Sequence, residues 1–181
     1  MSRANPIAFV KGERLSLCEF TQEYVGEDYL RWMNDPEINQ YLETRFHPRS
    51  LESLRSFVAS IGESKDNVFL AIVVNATGKH IGNIKLGNIL WIHRIAEIGL
   101  VIGEKDHWGM GYATEAIRLI SRHAFETLGL YKLTAGFYAS NIASIKAFKS
   151  AGFKEEGLVK AGYFLKGKRE DGIILGMETN V

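Results

Sequence analysis

The sequence predicts an α/β (α+β) fold, a mixed sheet with helices on both faces. Two observations predict it. Along the 181 residues the apolar positions switch repeatedly between the two-residue period of a strand and the 3.6-residue period of a helix. The resulting order is strand, helices, three strands, helix, strand, helix, two strands, which suits a sheet covered on both sides.

Each element has a local reason. Residues 7–10 and the alternating segment 14–20 read as a first strand or hairpin around Lys11-Gly12. Val25, Tyr29, Trp32 and Met33 share one helical face. Asp35-Pro36 has the form of an N-cap followed by proline at the first helical position, so a second short helix is expected there. Ser50 caps another helix, whose apolar stripe is Leu51, Leu54, Phe57, Val58 and Ile61. Val68 to Asn75 is rich in β-formers, and Thr77-Gly78-Lys79 turns it into a strand from His80 to Leu90. A further strand covers about 95–102. The helix from Tyr112 to Leu128 buries Ala113, Ala116, Ile117, Ile120, Ala124 and Leu128, with Gly129 beyond its end. Its outer Glu115, Arg118, Arg122 and Glu126 are spaced for i,i+3 and i,i+4 pairs. Tyr131 to Ala139 is a strand, and Asn141 to Ala151 a helix closed by Gly152. Phe153 to Phe164 and Ile173 to Met177 form a last antiparallel pair joined near Gly167.

Composition narrows the function. Chain length suits one domain over residues 1–181. Hydrophobic residues are 46%, charged residues 24%, and the net charge is +1, so bulk electrostatics argue for neither a nucleic-acid nor a membrane partner. The basic run at Lys166, Lys168 and Arg169 reads as a solvated hairpin. One cysteine, Cys18, cannot make an internal disulfide, which favours a reducing compartment. With no signal-peptide core and no apolar run long enough to span a bilayer, a cytoplasmic location is expected.

The most informative stretch is residues 96–113, where an apolar strand enters a glycine turn that opens a helix. Gly109 and Gly111 leave backbone N–H groups bare at the start of that helix, where unpaired donors and a partial positive charge attract phosphate. Thr114 stands where a dinucleotide fingerprint needs its third glycine, and no Asp or Glu follows about 20 residues on. Tyr112 stands where a P-loop needs lysine. A plain tight turn remains the structural alternative. Gly99, inside the preceding strand, suggests a bulge or a close backbone approach.

Trp108-Gly109-Met110-Gly111-Tyr112-Ala113-Thr114-Glu115-Ala116, with Asn141-Ile142-Ala143-Ser144 and Ala151-Gly152-Phe153, resembles the GNAT acetyltransferases, and most of all their RimJ/RimL-like branch. The resemblance covers nearly the whole chain. It implies the GNAT acyl-CoA N-acyltransferase fold, a mixed, mostly antiparallel sheet splayed between the fourth and fifth strands (counting residues 7–20 as one). It implies acetyl-CoA as cofactor, with no metal. The family pattern Arg/Gln-x-x-Gly-x-Gly/Ala falls on Trp108, Gly111 and Ala113, so Trp108 departs from it. Cofactor contacts are then expected from Trp108 through Thr114, from the backbone of Leu100 and Ile102, and from Asn141 and Ser144. An N–H near Gly99 would face the thioester carbonyl as an oxyanion hole.

Acetyl transfer needs a neutral amine. A lysine-like amine, pKa near 10.4, is uncharged about once in a thousand at neutral pH, so the site must supply a base or desolvation. Glu97 is the first candidate base. Its structural alternative is a pair with Arg94 or Lys85. Glu43 is the second, with a solvated charge as its alternative. The tyrosine that often meets the leaving thiolate in the family is Phe148 here, so Ser144 is the substitute, alongside a plain role in capping with Asn141. On the acceptor side, Trp32, Asn34, Glu43 and Arg45 crowd a short region, with Asp35, Phe46 and His47 close in sequence. Asn83 and Lys85 adjoin from a strand. For each of these, helix packing or capping is the alternative. The expected acceptor is a small amine, such as a nucleotide-linked amino sugar, or a protein N-terminus. Assembly as a homodimer is left open. A non-catalytic acyl-CoA-binding or sensory protein of the same fold is the competing class, ahead of an unrelated nucleotide-binding protein.

Overall fold

In the computed structural model, which describes residues 7–179, the opening hairpin is β1 (Ala8–Lys11) and β2 (Leu15–Glu19). Two helices follow, α1 (Glu27–Asn34) and α2 (Leu51–Gly62). Ser50 caps α2 as expected, and Ser53 returns the bond in a capping box. Next come β3 (Val68–Val74), β4 (His80–Leu90) and β5 (Ile95–Ile102), then α3 (Tyr112–Glu126). The chain ends with β6 (Lys132–Tyr138), α4 (Ile142–Ala151), β7 (Lys154–Leu165) and β8 (Lys168–Glu178).

The eight strands form one sheet in the order β1-β2-β3-β4-β5-β6-β8-β7. Every neighbouring pair is antiparallel except β5 with β6. That parallel pair is short. Ile95, Ala96 and Glu97 pair with Lys132, Leu133 and Thr134, and the ladder stops there. Beyond it the two strands part, as the splay between the fourth and fifth strands requires. Ile98–Ile102 therefore keeps β4 on one side and has no strand partner toward β6.

Alternation along the strands sorts the core into two layers. On one face, Leu17, Ile72, Ile84 and Ile98 pack against Ile117 and Ile120 of α3 and Phe148 of α4. On the other, Cys18, Ala71 and Val73 pack against Trp32 and Met33 of α1 and Leu54 and Val58 of α2. Helices thus cover both faces, with α1 and α2 over β2, β3 and the end of β5.

Four local expectations are corrected. No helix begins at Asp35. That residue ends α1, and its carboxylate accepts the N–H groups of Glu37 (2.8 Å) and Ile38 (3.4 Å) in a turn. The turn does not propagate, because Asn39 folds back to donate to the Met33 carbonyl at 2.9 Å. A one-turn 3-10 segment appears later, at Glu43–Phe46. The outer residues of α3 do not pair along the helix: Glu115 binds Arg14, and Arg118 donates to the Ser150 carbonyl. The irregularity expected near Gly99 lies opposite, in β4 between Gly87 and Leu90, where Asn88 has φ +51°. The last strand starts at Lys168 rather than Ile173, because Lys166 and Gly167 (φ +48° and +81°) make a two-residue turn that pairs the charged segment at once.

Candidate active site

Since β5 and β6 run parallel and separate toward their carboxyl ends, the elements that follow them meet at the mouth of the split. After β5 comes the glycine loop and the start of α3; after β6 come Ser140, Asn141 and the start of α4. Two helix N-termini therefore converge on one opening, an arrangement suited to a phosphorylated ligand lying at the carboxyl ends of strands.

The glycine loop is built as bare backbone. Gly109 and Gly111 have φ of +72° and +80°, in the left-handed region. A side-chain carbon at Gly109 would meet nothing within 4 Å, so the site needs that residue for its conformation and openness rather than for tight packing. Gly111 is the N-cap of α3 with no side-chain cap, which leaves the first-turn N–H groups of Tyr112, Ala113 and Thr114 for a ligand. Trp108 bonds to the chain's own backbone. Its indole N–H donates to the Ile102 carbonyl at 2.8 Å and latches the loop to the end of β5. Thr114 donates to the Ala147 carbonyl at 3.4 Å and ties α3 to α4. Asn141 caps α4 by accepting the Ser144 N–H at 3.4 Å.

Arg14 was not singled out from the sequence. From the start of β2 its Nη1 donates to the Met110 carbonyl (2.8 Å), its Nε to Glu115 (2.8 Å), and its guanidinium lies 4.8 Å over the Tyr112 ring. It fixes the loop and places a cation beside it. The link spans about a hundred residues of sequence, so no local pattern could reveal it.

On the opposite face, strand alternation brings Glu97 and Gly99 of β5 together with Thr134, Gly136 and Tyr138 of β6. Glu97 is exposed at the point where the ladder ends, and takes a 3.2 Å hydrogen bond from Asn88 rather than pairing with Arg94 or Lys85. Gly99, one step into the split, has open space where a side chain would be. Glu43 and Arg45 meet over the end of β6. The Tyr138 hydroxyl donates to Glu43 (2.7 Å) and accepts from Arg45 (2.8 Å), and Arg45 also reaches the Phe164 carbonyl (3.0 Å). Burial raises the Tyr138 phenol, the bond to Glu43 raises it further, and Arg45 opposes both.

Tyr163 is a second residue that periodicity did not mark. Between Val159 and Tyr163 the register of β7 slips, and Asp171 holds the slip by accepting the Ala161 N–H (2.8 Å) and pairing with Lys160 (3.0 Å). Tyr163 then folds back over β8 and β6. Its ring covers Gly172, where a methyl group would lie 2.3 Å from a ring carbon, and its hydroxyl stands 3.4 Å from the corresponding point on Gly136. The ring sits 4.4 Å from that of Tyr138.

The other candidates are taken up by packing and internal bonds. Trp32 is fully buried; its indole N–H donates to Glu104 at 3.0 Å and its ring covers Gly103. Asn34 is engaged with Leu30 and Arg49, joining α1 to the approach of α2. Asn83 is buried, 2.8 Å from a ring nitrogen of His80. Phe148 packs edge-on against Phe137 and Phe153, so it is core. Among the described residues no cluster of three His, Cys, Asp or Glu side chains could hold a metal, and no helix is long and apolar enough to cross a membrane.

Comparison with known proteins agrees with this geometry. The family model for the acetyltransferase (GNAT) domain matches residues 14–154. The N-acetyltransferase p20 of Bacillus licheniformis is 32% identical over 165 residues, 88% of this chain and 89% of that one. A spermidine N(1)-acetyltransferase of Vibrio cholerae is 31% identical over 107 residues, 59% of this chain and 61% of the relative. The crystal structure of spermidine N-acetyltransferase from Vibrio cholerae, in complex with CoA and spermine, superposes with a TM-score of 0.83 at 22% identity, covering 92% of this chain and 96% of that one. A split sheet with bare donors at its mouth, in a chain matched by the family model over residues 14–154, identifies a member of the GNAT acetyltransferases, an acetyl-CoA-dependent N-acetyltransferase.

Proposed function

We propose that the acceptor is a primary amine of a small polycation of the spermidine type, which attacks the thioester directly with no covalent enzyme intermediate. The observation that carries this reading is a pair of carboxylates on the open face of the sheet. Glu97 stands on β5 where the ladder ends, and Glu43 is held over the end of β6 by Tyr138 and Arg45. An extended polyamine carries several ammonium groups, so that one can pair with a carboxylate while another is presented as the amine. The spermidine acetyltransferases among the relatives lend support.

Acetyl-CoA supplies the activated acyl group as a thioester. The chain's own residues bind and orient it. The N–H groups from Gly109 to Thr114 receive the diphosphate with the dipole of α3 behind them. The edge of Leu100, with the Ile102 N–H beyond it, offers the pantetheine amides the bonds a neighbouring strand would have made, the Ile102 carbonyl being held by Trp108. Asn141 and Ser144 line the facing wall. Glu97 takes the proton from the incoming ammonium, directly or through water, being exposed, next to the split and, among the described residues, engaged only by Asn88. Glu43, already committed to Tyr138, is better placed to hold a distal ammonium than to move protons.

The test is a thiol-release assay with acetyl-CoA across polyamines, amino sugars including nucleotide-linked ones, amino acids and N-terminal peptides, beside thermal shift with acetyl-CoA. Turnover of spermidine or spermine is expected. Turnover of amino sugars or peptides alone moves the acceptor to those classes. A thermal shift without any turnover favours an acyl-CoA sensor.

A further inference from the structure

We propose that Tyr163 is a catalytic residue of the acyl transfer, the proton donor to the departing thiolate. The inference rests on the acetyl-transfer reading above and goes beyond its residues. On the helix that follows β6, Phe148 packs into the core, and the hydroxyl of Ser144 is a weak acid. A phenol arrives instead from the other side of the sheet. The slipped register of β7 folds Tyr163 back on itself, and Asp171 fixes the slip. Glycine at 172 makes room for the ring and glycine at 136 leaves space beneath the hydroxyl. If the ladder from Glu97 and Thr134 were extended, Gly136 would stand opposite Gly99. Tyr163 therefore presents its hydroxyl over Gly136, on the strand that borders the split just past the end of the ladder. Among the described residues that hydroxyl makes no hydrogen bond, so its proton is uncommitted, whereas the neighbouring Tyr138 hydroxyl is spent on Glu43.

The step balances without another reactant. The amine nitrogen forms a bond to the carbonyl carbon, and the carbon–sulfur bond breaks with its electron pair going to sulfur. Sulfur takes the Tyr163 proton, and the phenolate is restored by the proton shed from the amine nitrogen, through Glu97 or water. Acetylated amine and free thiol result.

Two measurements test this. Tyr163→Phe should lower kcat about 10²-fold while KM for acetyl-CoA stays within about threefold. Independently of turnover, 3-fluorotyrosine placed at position 163 should show a shifted fluorine resonance when coenzyme A itself is added. A kcat within about threefold of wild type, or a fluorine signal that coenzyme A leaves unmoved, overturns the assignment of Tyr163 and leaves the acetyl-transfer reading standing. A wild-type chain that turns over no amine overturns that reading, and this inference with it. Should Tyr163→Phe fail to fold, the fluorine experiment decides alone.

Discussion

Glu104 is a junction whose removal tests how the segment between β5 and the glycine loop is anchored. It follows β5 directly, and its carboxylate gathers Arg31 of α1 (2.7 Å), the Trp32 indole N–H (3.0 Å) and Lys79 of the β3–β4 turn. Burial by itself would push this carboxyl up. The hydrogen bonds from Lys79, Arg31 and Trp32 outweigh it and hold the group at about 2, against an ordinary 4.5. At about 1.4 kcal/mol per unit, that difference has a ceiling near 3.5 kcal/mol. Lys79 and Arg31 are 46% and 51% exposed, so solvent screening reduces it to roughly 1–2 kcal/mol. Glu104→Gln keeps the volume and loses the charge, and should lower the melting temperature by about 2–8 °C at pH 7. The folded-state value is depressed, so the contribution is present above 4.5 and drains away as pH falls toward 2. Wild type and variant are therefore expected to converge in urea or thermal unfolding between pH 4.5 and 2. A difference equally large at pH 3 and pH 7 would refute the electrostatic account, and no difference at pH 7 would refute the junction itself.

Gly111→Val forces a β-branched residue into φ +80° and covers bare donors, so calorimetry should find acetyl-CoA binding lost while circular dichroism remains native. Glu97→Gln should reduce kcat about 10²-fold with acetyl-CoA affinity nearly intact; an unchanged kcat leaves Glu97 as a partner of Asn88 and nothing more. Gly103→Ala sets a methyl group 1.9 Å from the buried Trp32 ring, and chemical denaturation should show a loss of about 1–3 kcal/mol.

The order of elements was legible because the signals are local: a 3.6-residue stripe in α3, Ser50 at the head of α2, glycine where φ turns positive. The glycine loop was legible for the same reason, since bare donors at a helix start are a property of a few consecutive residues. Failures came where one residue had two local meanings or its partner lay far away. Asp35-Pro36 suits an N-cap and a turn equally, and Asn39, four residues on, decided between them by bonding back to Met33. Trp32, a candidate acceptor contact, belongs to the apolar stripe of its helix and is buried with it. Arg14 and Tyr163 were illegible, because one acts across the sheet and the other depends on a slip of register that no alternation pattern encodes.

What makes the split productive is that β5 serves both layers at once. Ile98, Leu100 and Ile102 face the core beneath α3, so the strand is anchored where β6 abandons it. Glu97 and Gly99 face the other way and are exposed. Its continuation, Gly103 and Glu104, is clamped by Trp32, Arg31 and Lys79 before the loop begins. A strand that loses a hydrogen-bonded neighbour should fray; this one is held from its core face, by β4, and at its end. The edge left open to β6 is then a fixed row of donors and acceptors, which a ligand in the split can pair with without first ordering the chain.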